Sequence, residues 1–452
     1  MNALIVADDL TGAMDTGHQF AAGGLETIVR VDARSADDDG DDDAPSPADL
    51  NADRRTPTVV AVTTETRYAD VATARERVAR VASTAESDDS GITVVYKKID
   101  STLRGNVVAE LEATVDATGA ALAVVAPAFP AAGRATRDGI HTVDGVPLSE
   151  TEYADDENGP TTAHLPTLLA ASRYPVEHVP LEDVSKGGDA LAAIVRNAAG
   201  RERAQVLSFD ATRSSHLEAI ADAAARCDER VVYAGSGGLA RHVAVPGDGR
   251  ETDSRRERGA AIDTNTTRKT GALGIVGSVN DRTLAQLERV PEAAITTLEP
   301  SDVLESPVAA GREAGARAGQ RLSAGEIAVL TGARSKSTVE KTLEAGRREG
   351  LDPTAVRRRV RRALAAGARE AVDAHPPAGL FATGGDVTVA VCGTLEASSI
   401  ALTGEEIEDG IPIGRLETGP AAGTTLVTKA GGFGGESVIV NSLHLLREVD
   451  TK

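Results

Sequence analysis

Tryptophan is absent from this chain, aromatic residues make up 2% of it, and there are only two cysteines and two methionines. With so few rings, any core must be filled by Val, Ala, Leu and Ile, and a hydrophobic fraction of 41% supplies enough of them for large cores. Cys227 and Cys392 stand far apart, which excludes a disulfide framework and a cysteine-type zinc site. No apolar run approaches the ~18 residues that a membrane-spanning helix needs. The N-terminus enters Leu4-Ile5-Val6-Ala7 with no basic segment before it, so no targeting sequence and a cytoplasmic location are expected. Positive charge is also scarce: 48 Lys and Arg against 69 Asp and Glu leave a net charge of −21. Such a surface argues against nucleic acid or an anionic membrane as a partner. A Lys-poor, Asp- and Ala-rich composition fits a halophilic protein, kept hydrated by surface carboxylates in concentrated salt. At 452 residues, two or three domains are expected.

What the chain does contain is a recurring series of short apolar run, polar turn and helix-spaced segment. Ala3 to Ala7 leads into Asp8-Asp9-Leu10-Thr11-Gly12. Val59 to Val62 leads into Thr63-Thr64-Glu65-Thr66-Arg67 and a helix over Val71 to Ala85. The β-branched run Ile92 to Tyr96 leads into Lys97-Lys98-Ile99-Asp100-Ser101-Thr102-Leu103-Arg104-Gly105-Asn106, with a helix over Asn106 to Val115. More strands are predicted over Ala121 to Ala126 and near Tyr174 to Val179, Ala204 to Phe209 and Arg230 to Tyr233. A hairpin is expected around Asp144-Gly145. This alternation predicts an α/β fold with mostly parallel sheets.

Open α/β sheets bind ligands at the carboxyl ends of their strands, where first-turn N–H groups favour anions. Lys98 and Arg104 add fixed positive charge there, and the guanidinium fork suits a carboxylate or phosphate. Asp100, the one acid among these cations, either caps the helix or takes a proton from a bound hydroxyl. Asp8 and Asp9 are placed to position a sugar hydroxyl, hold Mg²⁺ through water or act as a base; the alternative is a pair of helix-capping acids. Arg67 is a further charge at a strand end, whereas Asp15 reads as part of a solvated helix face. Residues 35–57, with the acidic run Asp37 to Asp43, read as a surface insertion without EF-hand spacing. Gly235-Ser236-Gly237-Gly238 is either a phosphate loop or a tight strand-to-helix turn.

Pro246 to Thr270 is polar and reads as a linker. A second α/β domain begins with strand Ala272 to Val276, followed by Gly277-Ser278-Val279-Asn280 and a helix from Asp281 to Arg289. A strand over Ile327 to Leu330 and an Arg-rich helix over Ala355 to Ala374 follow. Two more turns, Thr383-Gly384-Gly385-Asp386-Val387 and Lys429-Ala430-Gly431-Gly432-Phe433-Gly434, follow strands and suit close approach by a nucleotide. Ser278 is an N-cap or a ligand, and Lys429 offers a charge to neutralise phosphate. No GxxxxGK[ST] stands at any of these turns, so the chain is not a P-loop NTPase.

Three stretches carry a resemblance: Ala7-Asp8-Asp9-Leu10-Thr11-Gly12-Ala13, Lys98 to Asn106, and Pro127-Ala128-Phe129-Pro130. Together with Gly277-Ser278, Thr383-Gly384-Gly385 and Lys429 to Gly434, they resemble the four-carbon acid sugar kinase family, which comprises D-threonate, D-erythronate and 3-oxo-tetronate kinases. The resemblance implies two α/β domains with the active site in the cleft between them. Residues 1–245 would bind the acid sugar, 246–270 would link, and 271–452 would bind ATP with Mg²⁺. It implies phosphoryl transfer from ATP to a hydroxyl, the terminal one, of a four-carbon sugar acid. Asp8, Asp9 and Asp100 are then the catalytic candidates. Arg67, Lys98, Ser101, Thr102, Arg104 and Asn106 are the substrate-binding candidates. Ser278, Gly384, Gly385, Asp386, Val387, Gly431, Gly432 and Gly434 would line the nucleotide. Metal ligands are left unassigned, and a homo-oligomer is left open. Where the family commonly has Gly-Gly-Glu-Thr, this chain has Gly384-Gly385-Asp386-Val387. The alternatives are a kinase for another small polyol or hydroxy acid such as glycerate, or a non-catalytic sensor of sugar acids or nucleotides.

Overall fold

Aliphatic runs that are buried on both faces have one stable home, the interior of a parallel sheet covered by helices. The computed structural model, which describes residues 1–31, 58–86, 90–246 and 271–448, builds two such units. The N-terminal unit contains β1 (Ala3–Ala7), β2 (Thr27–Arg30), β3 (Val59–Thr63), β4 (Val94–Lys98), β5 (Leu122–Ala126), β6 (Arg134–Arg137), β7 (Ile140–Val143), β8 (Val146–Pro147), β9 (Val176–Val179), β10 (Gln205–Phe209) and β11 (Val231–Gly235). Its main sheet runs β2-β3-β1-β4-β11-β5-β10-β9, with every neighbouring pair parallel. β6, β7 and β8 form a small antiparallel sheet, one strand more than the expected hairpin.

β1 lies in the middle, with β3 on one side and β4 on the other, so the strand order reverses around it. Ala7 is level with both Thr63 and Lys98, so the turns after β1, β3 and β4 leave the sheet side by side. This is the switch point at which open α/β sheets bind ligands. Helices α1 (Leu10–Ala22), α2 (Val71–Ala82) and α3 (Val107–Thr118) start from these turns. Asp9 caps α1 by accepting a hydrogen bond from the Gly12 N–H at 2.7 Å, and Asp70 caps α2. Gly119, at φ +63°, closes α3 in the left-handed conformation. Leu4, Val6, Val60, Val62 and Val95 form one core layer with the inner faces of α2 and α3. Each such side chain contributes roughly 1.5–3 kcal/mol on burial.

The expected strand at Ile92 to Tyr96 lies two residues further on, and both lysines are within it. Lys97 is fully buried, with its Nζ 2.7 Å from Glu110 Oε2 on α3 and hydrogen-bonded to the Val6 and Lys98 carbonyls. The glycine run after β11 resolves as a tight turn. A Cβ at Gly235 or Gly238 would lie about 2.5 Å or less from the Ala126 or Ala128 carbonyl, and one at Gly237 would lie 2.7 Å from Asp15 Oδ2. Asp15 therefore faces this turn and is not on a solvated helix face.

The C-terminal unit contains β12 (Ala272–Val276), β13 (Ile295–Thr297), β14 (Ala328–Thr331), β15 (Gly379–Thr383), β16 (Ser399–Glu406), β17 (Pro412–Leu416) and β18 (Thr425–Lys429). The order β13-β14-β12-β15-β18 is parallel, and β17 and β16 extend it antiparallel. Again the order reverses around the first strand, and Val276, Thr383 and Lys429 end level. The acidic insertion and, past Pro246, the linker lie outside the described residues. Among the described residues no helix is long and apolar enough to cross a membrane.

Candidate active site

At the N-terminal switch point the sequence places acids after β1 and cations after β3 and β4, and the fold brings them together. Arg67 is the hub. Its Nε donates to Asp8 Oδ2 at 2.7 Å, its Nη1 donates to Asp9 Oδ2 at 2.6 Å, and its Nη2 lies 3.6 Å from Asp100 Oδ1. Arg104 grips Asp100 with two hydrogen bonds, Nε to Oδ2 at 2.7 Å and Nη2 to Oδ1 at 3.2 Å. Thr102 Oγ1 donates to the same Oδ2 at 2.5 Å. Asp100 does not cap α3: the cap position is Asn106, which makes no capping bond through its side chain.

Two turns carry backbone strain where these groups meet. Glu65 has φ +46° and Leu103 has φ +55°, left-handed values that non-glycine residues rarely adopt, and they flank Arg67 and Arg104. Asn106 ties the first turn down by donating to the Thr66 and Ala69 carbonyls, both at 2.9 Å. Its amide thus fixes the loop that carries Arg67. Ser101 is held from behind, its carbonyl accepting from His141 Nε2 at 2.9 Å. Since a carbonyl only accepts, His141 carries its proton on Nε2, and Nδ1 accepts from Thr136 Oγ1 at 2.9 Å. Burial, with Arg134 adding to it, lowers the His141 pKa to about 4.

The three acids differ in what they have left to offer. Asp9 is occupied by Arg67 and by the cap of α1, and Asp100 by Arg104 and Thr102. Asp8 is held through Oδ2 alone; its Oδ1 is buried and has no hydrogen-bond partner among the described residues. Burial pushes the Asp8 carboxyl up, but Arg67, Lys98 and Lys97 outweigh it and hold the group below the usual carboxylate range. Burial likewise opposes ionisation of Asp100, and Arg104 and Arg67 override it, leaving it well below that range. Asp8 therefore presents an ionised oxygen that lacks a donor, an arrangement that costs about 1–3 kcal/mol unless a donor arrives. Among the cations, Lys98 has donors to spare: among the described residues its Nζ makes one hydrogen bond, to the Ile99 carbonyl at 2.7 Å. A Cβ at Gly12 would lie 3.1 Å from that Nζ and 2.7 Å from Asp9 Oδ1, so only glycine leaves room there.

Sequence reasoning missed an outer layer from residues 153–158. Tyr153 lies under Arg104, with its ring centroid 5.4 Å from Cζ. Asp156 Oδ2 accepts from Tyr68 at 3.0 Å and sits 3.6 Å from Arg104 Nη1. Asn158 donates its side-chain amide to the Arg67 carbonyl at 2.8 Å, and its own carbonyl accepts from the Gly105 N–H at 2.8 Å.

In the C-terminal unit, the turns after β12, β15 and β18 converge. A Cβ at Gly384, which has φ +96°, would lie 2.9 Å from the Ser278 N, and one at Gly431 would lie 2.6 Å from Ser278 Oγ. Val387 packs on Gly277, where a Cβ would lie 2.3 Å from its Cγ2. The helix Gly385–Thr394 starts at Gly384 with no side chain capping it, leaving first-turn N–H groups for an anion. Asp386 is exposed in that first turn, while Gly432 and Gly434 lie in the turn after β18. These glycine-lined turns leave backbone N–H groups open to close approach by an anion such as a phosphate. Lys429, by contrast, turns inward: its buried Nζ is 3.0 Å from each of Thr283 Oγ1 and the Ala430 and Gly431 carbonyls. Burial, then Arg282, pulls its pKa down to about 7, against Glu408. Among the described residues no group of three or more His, Cys, Asp or Glu is arranged to hold a metal ion.

Two family models match the chain. Residues 3–243 match the family model of a sugar-binding N-terminal domain, and 273–439 that of a nucleotide-binding C-terminal domain. The chain is 33% identical to a D-threonate kinase of Bordetella bronchiseptica, over 98% of this chain and 97% of that protein. It is 31% identical to a D-erythronate kinase of Heliobacterium modesticaldum, over 95% and 93% of the two chains. It is also 31% identical to a 3-oxo-tetronate kinase of Methylobacterium radiotolerans, over 98% of each.

Proposed function

This chain belongs to the four-carbon acid sugar kinase family, and from that premise we propose that it transfers the γ-phosphoryl group of ATP to a hydroxyl, the terminal one, of a four-carbon sugar acid. It is a phosphotransferase with an alcohol as acceptor, as its curated relatives are by name. ATP supplies the phosphoryl group, and the turns holding Ser278, Gly384 to Val387 and Gly431 to Gly434 would bind it. Mg²⁺ is the expected companion of that ATP.

The observation that carries the reading is Asp8 Oδ1, a buried, ionised carboxylate oxygen without a donor among the described residues, set among Arg67, Lys98 and Lys97. A sugar hydroxyl is the missing donor. Asp8 accepts its hydrogen bond, orients the oxygen for attack on the γ-phosphorus and takes the proton as the new O–P bond forms and the bond from that phosphorus to the ADP leaving group breaks. Phosphoryl transfer asks mainly for this positioning and for charge neutralisation. Asp9 and Asp100 serve by fixing the two arginines. The substrate carboxylate meets Lys98, whose ammonium has donors left, and the outer nitrogens of Arg67 and Arg104. A sensor would use such an acid to accept a hydroxyl's hydrogen bond but needs no base to take its proton.

The test is Asp8→Asn, which keeps the shape and the contact with Arg67 but removes the base. Its kcat should fall by about 10²-fold or more with little change in the KM for ATP. Near-normal turnover would remove Asp8 from this role. Assays belong in both molar KCl and low salt, because a net charge of −21 repels ATP and the acid alike until it is screened.

A further inference from the structure

We propose that Lys429 is a positioning residue that orients the peptide groups of the turn after β18 into an anion cradle for the phosphates of ATP; this rests on the kinase reading above. A lysine beside a glycine-rich turn is expected to reach out to the phosphate. Here its Nζ lies behind the turn, donating to the Ala430 and Gly431 carbonyls at 3.0 Å, with the Phe433 carbonyl at 3.4 Å and Thr283 Oγ1 at 3.0 Å. Gln286 works from the same side: its Nε2 donates to the carbonyls of Phe433, Gly434 and Gly435 at 3.0, 3.1 and 2.9 Å. Thr283 Oγ1 adds a hydrogen bond to the Gly431 carbonyl at 2.9 Å.

A trans peptide is planar, with its N–H antiparallel to its C=O. Carbonyls drawn toward Lys429 and Gln286 therefore turn the N–H groups of the same peptides the other way. Those of Gly431, Gly432 and Gly434 follow the Ala430, Gly431 and Phe433 carbonyls, and they make no hydrogen bond among the described residues. Successive N–H groups aimed to one side form a nest for an anion. Close packing of Gly431 on Ser278 Oγ sets this nest beside the other two turns. Lys429 thus acts through the peptide groups whose carbonyls it holds, without touching the ligand.

The experiment uses the full chain and two probes. Inorganic triphosphate binding is measured by calorimetry, and steady-state KM values are measured for ATP and for D-threonate. Lys429→Met and Gln286→Met should each weaken triphosphate binding and raise the ATP KM by about tenfold or more. The KM for the acid should stay within about twofold of wild type. If Lys429→Met does not fold, Gln286→Met decides. Triphosphate bound as tightly by the folded variants as by wild type, no triphosphate binding by wild type, or an equal rise in both KM values would each overturn the proposal. Absence of any sugar-acid-dependent turnover in wild type would instead sink the kinase reading, and triphosphate calorimetry would still test the cradle.

Discussion

Removing Arg67 should do more damage than removing any acid it touches. Arg67 is 11% exposed and holds Asp8 and Asp9 at 2.7 and 2.6 Å, with Asp100 Oδ1 at 3.6 Å. Arg67→Met keeps much of the apolar stem but leaves three buried carboxylates with Lys98, Lys97 and Arg104 as the remaining cations. Breaking a buried ion pair from one side costs about 3–5 kcal/mol, because the partner's charge stays behind. For a unit of this size each kcal/mol moves the melting temperature by about 2–4 °C, so a fall of roughly 6–20 °C is expected. The loss should shrink as pH falls. With Arg67 gone the carboxyl pKa values rise, and protonation then relieves the repulsion that ionised groups suffer at neutral pH. Arg67→Met/Asp8→Asn removes one uncompensated charge and should recover part of the loss. Thermal unfolding followed by circular dichroism at pH 5 and pH 8 reads all of this. An Arg67→Met melt within about 2 °C of wild type, or a double variant no more stable than the single one, would refute the reasoning.

Lys98→Met should lower kcat/KM for the sugar acid by about ten- to a hundredfold, the loss of one charge-assisted contact, while any activity on the matching neutral tetritol holds; equal losses would show that Lys98 serves the fold. His141 gives a pH signature. Its folded pKa near 4 lies below the ordinary value of 6.5, so the unfolded chain binds the proton first, and stability falls as pH drops from 6.5 toward 4. At about 1.4 kcal/mol per pKa unit the full effect is roughly 3–4 kcal/mol, and His141→Gln should flatten that part of the stability–pH curve. A variant with the wild-type slope would remove His141 as its source.

The periodic parts of this fold are legible in the sequence because they are local. Ala3 to Ala7 can only be a buried strand, and Asp9 announces the start of α1. That acids follow β1 and cations follow β3 and β4 is equally visible, as is their meeting at the carboxyl ends of a parallel sheet. What separates Asp8 from Asp9 and Asp100 is not local. It depends on Arg67, 59 positions from Asp8, arriving with two nitrogens for the β1 acids. Asp156 and Asn158 come from a polar stretch without period, so nothing in the sequence marks them as the outer layer of the site. Lys429 is misread for the same reason: its charge is visible, but Thr283 and Gln286, which hold the same turn, are some 145 positions away. β16 and β17 pass unread because Ser399–Glu406 ends in Gly404-Glu405-Glu406, where the apolar alternation stops.

The central claim, ATP-dependent phosphorylation of a four-carbon sugar acid, is tested most directly by mixing the full chain with ATP, Mg²⁺ and one candidate at a time. The panel is D-threonate, D-erythronate, a 3-oxo-tetronate, glycerate and a neutral tetritol, with products followed by phosphorus NMR. The expected result is a phosphomonoester resonance coupled to the terminal methylene protons of one or more of the four-carbon acids, with far slower reaction of the tetritol. Phosphorylation of glycerate or the tetritol in preference to every four-carbon acid, or ATP left intact with all of them in both low and molar salt, would contradict it.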